Sequence, residues 1–232
     1  RAVAILTREG GGGSVRRRLF EAGFMLPASN IVMRGGEEVL LAASEVAANL
    51  CQEPRNLRDM MGGHDFLELC THFVQSAMAK LDAKPPAEGA GDQHRILLFG
   101  LGALCTVIAS PQNHGAFIEK GGLQLWMEVA SKHNADPQVC LHIARGLESL
   151  VSNSVLRSGL SSDQSFKSTV KTLFSHRDTT IDKAAENCLY LLNKPQEEGS
   201  EAPEASEEGD TLGELPSVRG AASGPGEGGG DE

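Results

Sequence analysis

The chain has 232 residues, 40% of them hydrophobic but only 4% aromatic, and a formal net charge of −10 at pH 7. That length allows one sizeable core or a short repeat array, and an apolar content weighted to Ala, Leu and Val suits packed helices better than a β-sandwich. The charge is uneven: residues 195–232 hold 11 Asp/Glu and one Arg, which leaves 20 acidic and 20 basic residues in 1–194, and a neutral body offers no general affinity for nucleic acid.

Residues 1–8 read as the tail of a helix, and a chain that opens on Arg1 rather than Met reads as a fragment or processed product. Gly10 to Ser14 (GGGGS) is a flexible linker by composition, natural or engineered. A phosphate-cradling loop would need a preceding strand and a following Lys-Ser/Thr, and VRRRLFEAG follows instead. Val15–Gly23 is a short helical run closed by glycine. It carries the basic cluster Arg16-Arg17-Arg18, either a solvated face or an anchor for an acidic peptide, the chain's own tail included, or for phosphate. An apolar stretch from Phe24 to Val32, broken at Pro27, leads to Gly35-Gly36.

From Glu37 the apolar residues Val39, Leu40, Ala43, Val46, Ala47 and Leu50 recur at helical spacing. Pro54 opens a short helix that Gly62-Gly63 stops. Asp65–Leu81 predicts a long helix with Phe66, Leu69, Cys70, Phe73 and Ala77 on one face. Residues 82–93 (DAKPPAEGAGDQ) read as a loop, and His94–Ala109 as a heavily buried helix. Ser110-Pro111 opens a short helix through Lys120, which Gly121-Gly122 ends. Leu123–Lys132 is the next helix. Asp136-Pro137 starts another, carrying Val139, Ile143, Leu147 and Leu150. Ser152–Ser161 reads as a polar loop, followed by helices over 163–174 and about 180–192. From Pro195 the composition collapses to Glu, Gly, Ser, Ala and Pro, which cannot bury enough surface to offset chain entropy and predicts a disordered acidic tail.

The five cysteines, Cys51, Cys70, Cys105, Cys140 and Cys188, each fall in an apolar helical run. They read as small buried hydrophobes in a reducing compartment rather than as a disulfide framework. Cys70/His72 and Cys140/His142 are the close Cys–His pairs, but residues two apart on a helix point roughly 200° apart and cannot share a metal. No nucleophile elbow is present. Gly100-Leu101-Gly102 lies inside a helix and lacks the strand of a dinucleotide fold, so its small residues read as close packing. The expectation is therefore no enzyme, no metal and no cofactor. No apolar window reaches the roughly 18 residues of a membrane span, and no signal peptide is visible.

The chain repeats itself. PRNLRDMMGGHDFLEL (54–69) lies without gaps over PQNHGAFIEKGGLQLW (111–126), matching Pro54 with Pro111, Asn56 with Asn113 and Met61 with Ile118. VRRRLFEAGFML (15–26) fits the same frame through Phe20, Gly23 and Met25. The steps are 41 residues from Phe20 to Met61 and 57 from Met61 to Ile118, the second lengthened by the 82–93 loop. Units of about 40–47 residues with two or three helices are the mark of helical solenoids.

On these residues the chain resembles the armadillo-repeat family. AASEVAANLCQEPRNLRDMMGG (42–63) is similar to its junction of third helix, turn and first helix, and IEKGGLQLW (118–126) to its turn into the second helix. The resemblance implies an all-α, right-handed solenoid of about four armadillo-like units over residues 1–194, the first truncated. It also implies that Met60, Met61 and Trp126 are core residues, and that third helices line a concave groove for extended peptides. Karyopherin-type members place a Trp and an Asn one turn apart on that helix. Here the Asn position falls on Asn49, Thr106 and Ser149, and the Trp position on Glu45, Gly102 and Arg145. Asn49 alone keeps the pattern.

The expected role is a protein–protein scaffold or adaptor in the cytoplasm, with the nucleus as second compartment. Its contact face would be Glu45, Asn49, Thr106, Arg145 and Ser149, exposed along successive third helices. Partners would be peptides or folded domains, not nucleic acid, membrane or a small-molecule substrate. The competing readings are a co-chaperone or nucleotide-exchange helper, and a purely structural stretch of a longer solenoid.

Overall fold

The computed structural model describes residues 13–22, 32, 35–52, 65–83, 90–176 and 178–194. By backbone contacts the chain separates into two units, Arg1–Gln196 and Glu197–Glu232, and every described residue lies in the first. Among the described residues there are ten α-helices and one 3-10 turn. In order they are α1 (Gly13–Glu21), α2 (Glu37–Leu50), α3 (Phe66–Ala83), α4 (Ala90–Ile108), the 3-10 turn Pro111–Asn113, α5 (His114–Glu119), α6 (Gly122–Lys132), α7 (Pro137–Ser152), α8 (Ser154–Ser162), α9 (Gln164–Phe174) and α10 (Thr179–Asn193).

Side-chain caps set where the later helices begin. Asp136, Asn153, Asp163 and Asp178 each accept from the backbone N–H groups two and three residues on. Each cap satisfies donors that the helix itself cannot, an effect of about 1 kcal/mol. Pro137, at the first position of α7, needs no donor there. Between α5 and α6 the chain turns through Gly121 at φ 76°, a left-handed conformation that costs a residue with a Cβ. Glu37 and Glu38 fill the first turn of α2, where the helix dipole favours them.

The helices pack as a ladder of three-helix units. Third helices follow one another, α2 against α4, α4 against α7 and α7 against α10. Second helices form a parallel row, α3 against α6 and α6 against α9, and each packs on the third helix of its own unit. Of the short first helices, α5 packs on α6, and α8 packs on α7, α9 and α10. One apolar core runs the length of the array from Val32 to Leu192.

Missing side chains bring the rows together. A Cβ at Gly100 of α4 would lie 2.9 Å from Val74 Cγ2 of α3, and the His142 ring of α7 lies over Gly102 of α4. The Trp126 indole of α6 occupies the space a side chain at Gly146 of α7 would need, and the Phe117 ring does the same at Gly122. Phe117 and Trp126 meet at 4.8 Å between centroids, tilted by 58°, an arrangement favoured by the ring quadrupoles.

A buried polar node ties α4, α5, α7 and α8 together. Asn153 spends its Oδ1 on the α8 cap, so its amide N–H₂ faces His114 Nδ1 at 3.3 Å. That makes Nδ1 the acceptor and leaves His114 Nε2–H to donate to the Ile108 carbonyl at 2.7 Å. Ser149 Oγ donates to the same carbonyl at 2.8 Å, and Asn113 donates to Val107 O at 2.9 Å. These bonds satisfy the last carbonyls of α4 where the chain leaves the helix.

Most elements fall where the sequence puts them, with three corrections. The flexible linker expected over residues 10–14 does not reach its end, since Gly13 and Ser14 already belong to α1. The loop expected over 82–93 is shorter, since 82–83 end α3 and 90–93 begin α4. Asp82 is held there by Lys132 Nζ at 2.6 Å, and Asp92 by Arg95 at 3.3 Å. The loop expected over Ser152–Ser161 is largely helix α8. Asn153 caps it, Leu160 is buried and Leu156 half-buried one turn before it, while Ser161 and Ser162 donate to their own helix backbone. The expected helices at 1–8 and from Pro54, the run from Phe24 except Val32, Met60, Met61 and the acidic tail lie outside the described residues.

Candidate functional site

The side of each third helix turned away from the second-helix row is the surface the ladder leaves open. On α7, Gly146 meets Trp126 of α6, and His142 overlies Gly102 of α4. At roughly 100° per residue, Leu141, Arg145, Glu148 and Ser152 point away from α6. Arg145 and Ser152 are exposed, while Leu141 and Glu148 are half-buried.

Shifting this set by the step that relates Ser149 to Thr106 and Thr106 to Asn49 gives the matching positions on α4 and α2. Leu141 corresponds to Leu98 and Leu41, all three half-buried against the core. Arg145 corresponds to Gly102 and Glu45, and Glu148 to Cys105 and Ala48. On α10, counted from the Asp178 cap as α7 is from Asp136, the same positions are Lys183, Asn187 and Tyr190. All three are exposed, Tyr190 at 66%. The face is thus a row of leucines at repeat spacing that ends on Lys183, flanked by a row of Glu45, Gly102, Arg145 and Asn187 and another of Ala48, Cys105, Glu148 and Tyr190.

The five residues singled out from sequence are distributed unevenly. Arg145 is exposed on this face. Glu45, expected exposed, is only 8% exposed. Asn49 and Thr106 are half-buried, and Thr106 Oγ1 donates to Gly102 O at 2.7 Å within its own helix. Ser149 is turned toward α4 and serves the Ile108 carbonyl. Leu41, Leu98 and Leu141 escaped that selection although they repeat with the same spacing. Of the Arg16–Arg18 cluster, Arg17 pairs with Glu21 at 2.7 Å.

Glu148 reaches across to α10, accepting from Asn187 Nδ2 at 2.8 Å. Arg95 lies 5.9 Å over the Phe99 ring and 3.3 Å from Asp92. Burial pushes the His142 imidazole below its ordinary pKa, reinforced by Arg145 and opposed by Asp136, so it stands neutral beside the guanidinium. Burial pushes the Cys105 thiol up to about 11 against the pull of Arg145, and the Cys188 thiol up to about 12 with help from Glu148. Neither is a thiolate at neutral pH, which removes both as nucleophiles.

Two open clefts lie on the second-helix side instead. One, of about 510 Å³, runs between α6 and α9 past Ser131, Asn134, Ser168 and Thr172. The other, of about 540 Å³, passes Glu68, His72 and Gln75 of α3 and Lys120. In the first, Thr172 donates to its own helix at Ser168 O and Glu128 is tied to Lys132. Neither cleft gathers a nucleophile with a base. Among the described residues no three His, Cys, Asp or Glu side chains converge as a metal site, and no single helix is long and apolar enough to cross a membrane.

The class this architecture defines is the α-solenoid, a stack of helical units with an open third-helix face. Known structures place it more finely. It superposes on the designed armadillo repeat protein YIII(Dq)4CqI with a TM-score of 0.65 at 18% identity, covering 83% of this chain and 73% of that one. An engineered protein, a Northeast Structural Genomics Consortium target, gives 0.65 at 16% identity over 84% of this chain and 43% of that one. A designed armadillo repeat protein in complex with the peptide (KR)4 gives 0.54 at 14% identity, over 83% and 91%. No family model matches the sequence, and no curated protein matches it significantly. The fold is an armadillo-like repeat solenoid.

Proposed function

We propose that this chain is a protein-binding scaffold whose ligand is an extended polypeptide laid along the third-helix face. One observation carries the reading: Leu41, Leu98 and Leu141 stand half-buried at equivalent positions on three successive third helices. A periodic apolar row on a rigid ladder suits a ligand that is itself periodic, and a solenoid makes such a surface without building a catalytic pocket. The (KR)4 complex of a designed neighbour supports a polypeptide ligand for this architecture. Arg145 and Tyr190 would flank that row, with Asn49 and Thr106 at its rim as secondary polar contacts and Glu45 and Ser149 as supports from beneath.

The test is a peptide selection on the folded chain, followed by titration of the selected peptides against Leu98→Ser/Leu141→Ser and against Ser168→Asp on the second-helix side. Circular dichroism would confirm that all three proteins remain helical. The reading expects at least about tenfold weaker binding to the leucine variant and no change for Ser168→Asp. Equal binding to the leucine variant would sink it.

A further inference from the structure

Charge on the third-helix face is one-sided. Arg145 and Lys183 are exposed, and neither makes an ion pair with another described residue. The acidic side chains at the equivalent positions, Glu45 and Glu148, are sunk or occupied. Glu148 is half-buried and held by Asn187, and Glu45 is almost buried. The body of the chain is neutral overall, so this local excess of cation is not a general feature of the surface.

We propose that the face selects an acidic polypeptide, one whose carboxylate side chains alternate with leucine-sized apolar ones, and that Arg145 is the residue that reads the carboxylate. This rests on the third-helix face being the peptide site. The geometry around Arg145 fits the role. Gly102 occupies the equivalent position one helix back, so no second charged side chain stands there, and the His142 ring lies over it.

A planar guanidinium takes a carboxylate through two parallel N–H···O bonds, which a lysine cannot do. Leu98 and Leu141 then receive the apolar side chains on one side of that contact, and Lys183 and Tyr190 extend it toward α10. The cations number two and are set among leucines and a tyrosine. That is a mixed apolar and basic strip rather than the broad basic surface a nucleic acid needs. The sign is also opposite to that of the (KR)4 ligand of the designed neighbour.

The experiment uses three short fluorescein-labelled peptides of repeated Leu-Ser-Glu, Leu-Ser-Gln and Leu-Ser-Lys, titrated by anisotropy against the whole chain at low and high salt. The acidic peptide is expected to bind about tenfold tighter than the neutral one, with the advantage shrinking as salt rises, and the basic peptide weakest. Arg145→Glu should reverse that order while leaving the helical spectrum unchanged, and Lys183→Glu should weaken the acidic peptide alone. If the neutral peptide matches the acidic one, or the basic peptide binds best, the charge assignment is overturned and the leucine row stands. If none of the three binds, both the charge assignment and the peptide site fall.

Discussion

The Trp126 indole lies over Gly146 so closely that a methyl group at residue 146 would enter the six-membered ring. An exposed helical Gly→Ala gains about 0.5–1 kcal/mol from reduced chain entropy. At Gly146 the fully buried ring has nowhere to retreat, and overpacking of this kind costs about 1–3 kcal/mol. Gly146→Ala should therefore lower the thermal midpoint by several degrees. Gly159→Ala in α8, where a Cβ meets nothing within 4 Å, should raise it slightly. Thermal melts of the two variants side by side check the contrast.

His114 makes stability pH-dependent. Burial holds its pKa below the ordinary value, opposed by the bond to the Ile108 carbonyl. A proton on Nδ1 would also point at the Asn153 amide, which already faces it as a donor. The unfolded chain then binds the proton more readily, so the stabilisation is full above the ordinary histidine pKa and declines as pH falls below it. His133 and His142, also lowered by burial, act in the same direction. Urea unfolding at pH 7.5 and 5.5 should show weaker folding at the lower pH, and His114→Gln should show a smaller difference between the two.

Asp136 uses both carboxylate oxygens. Oδ1 caps α7 through Gln138 and Val139, and Oδ2 lies 3.3 Å from His94 Nε2 near the start of α4. Asp136→Ala should cost about 1 kcal/mol for the cap and somewhat more for the lost contact with His94. Asp163→Ala, which removes a cap of the same kind, is the comparison. Denaturant midpoints of the two variants separate the two contributions.

The outer edge of α10 differs from that of α7. Cys140, Ala144, Leu147 and Val151 are buried, on the edge of α7 turned to α10. The matching residues of α10 are Asp182, Glu186, Leu189 and Asn193, of which Glu186 and Asn193 are exposed. The exposed Glu186 carboxylate there opposes the approach of a second apolar edge. Asp182→Ala/Glu186→Ala/Asn193→Val should make α10 sticky. Sedimentation velocity should show more self-association than in the wild type, increasing with concentration. An unchanged distribution would contradict this reading.

The fold was legible where apolar residues keep strict helical spacing, as from Phe66 to Ala77 and from Val139 to Leu150. It was hidden in α8, because five serines and a glycine between residues 152 and 162 mask the Leu156–Leu160 pair and the Asn153 cap. The repeat step that aligns Asn49, Thr106 and Ser149 was visible too. What it could not show is rotation about the helix axis. One residue of shift, about 100°, separates a position facing the neighbouring helix, as Ser149 does, from Glu148 on the open face. Burial decides that rotation, and it follows from packing between units that no single repeat encodes.

Each rung of this ladder touches only its neighbours, and α10 rests on α7, α8 and α9 alone among the stronger contacts. An array joined that way can come undone from an end, one unit at a time, like a zip. Opening the last unit would carry Lys183 and Tyr190 away while Arg145, Leu141 and Leu98 kept their places. The grip on a ligand would then shorten in discrete steps. Affinity could be tuned by the stability of the end, without altering any residue that touches the ligand at the centre.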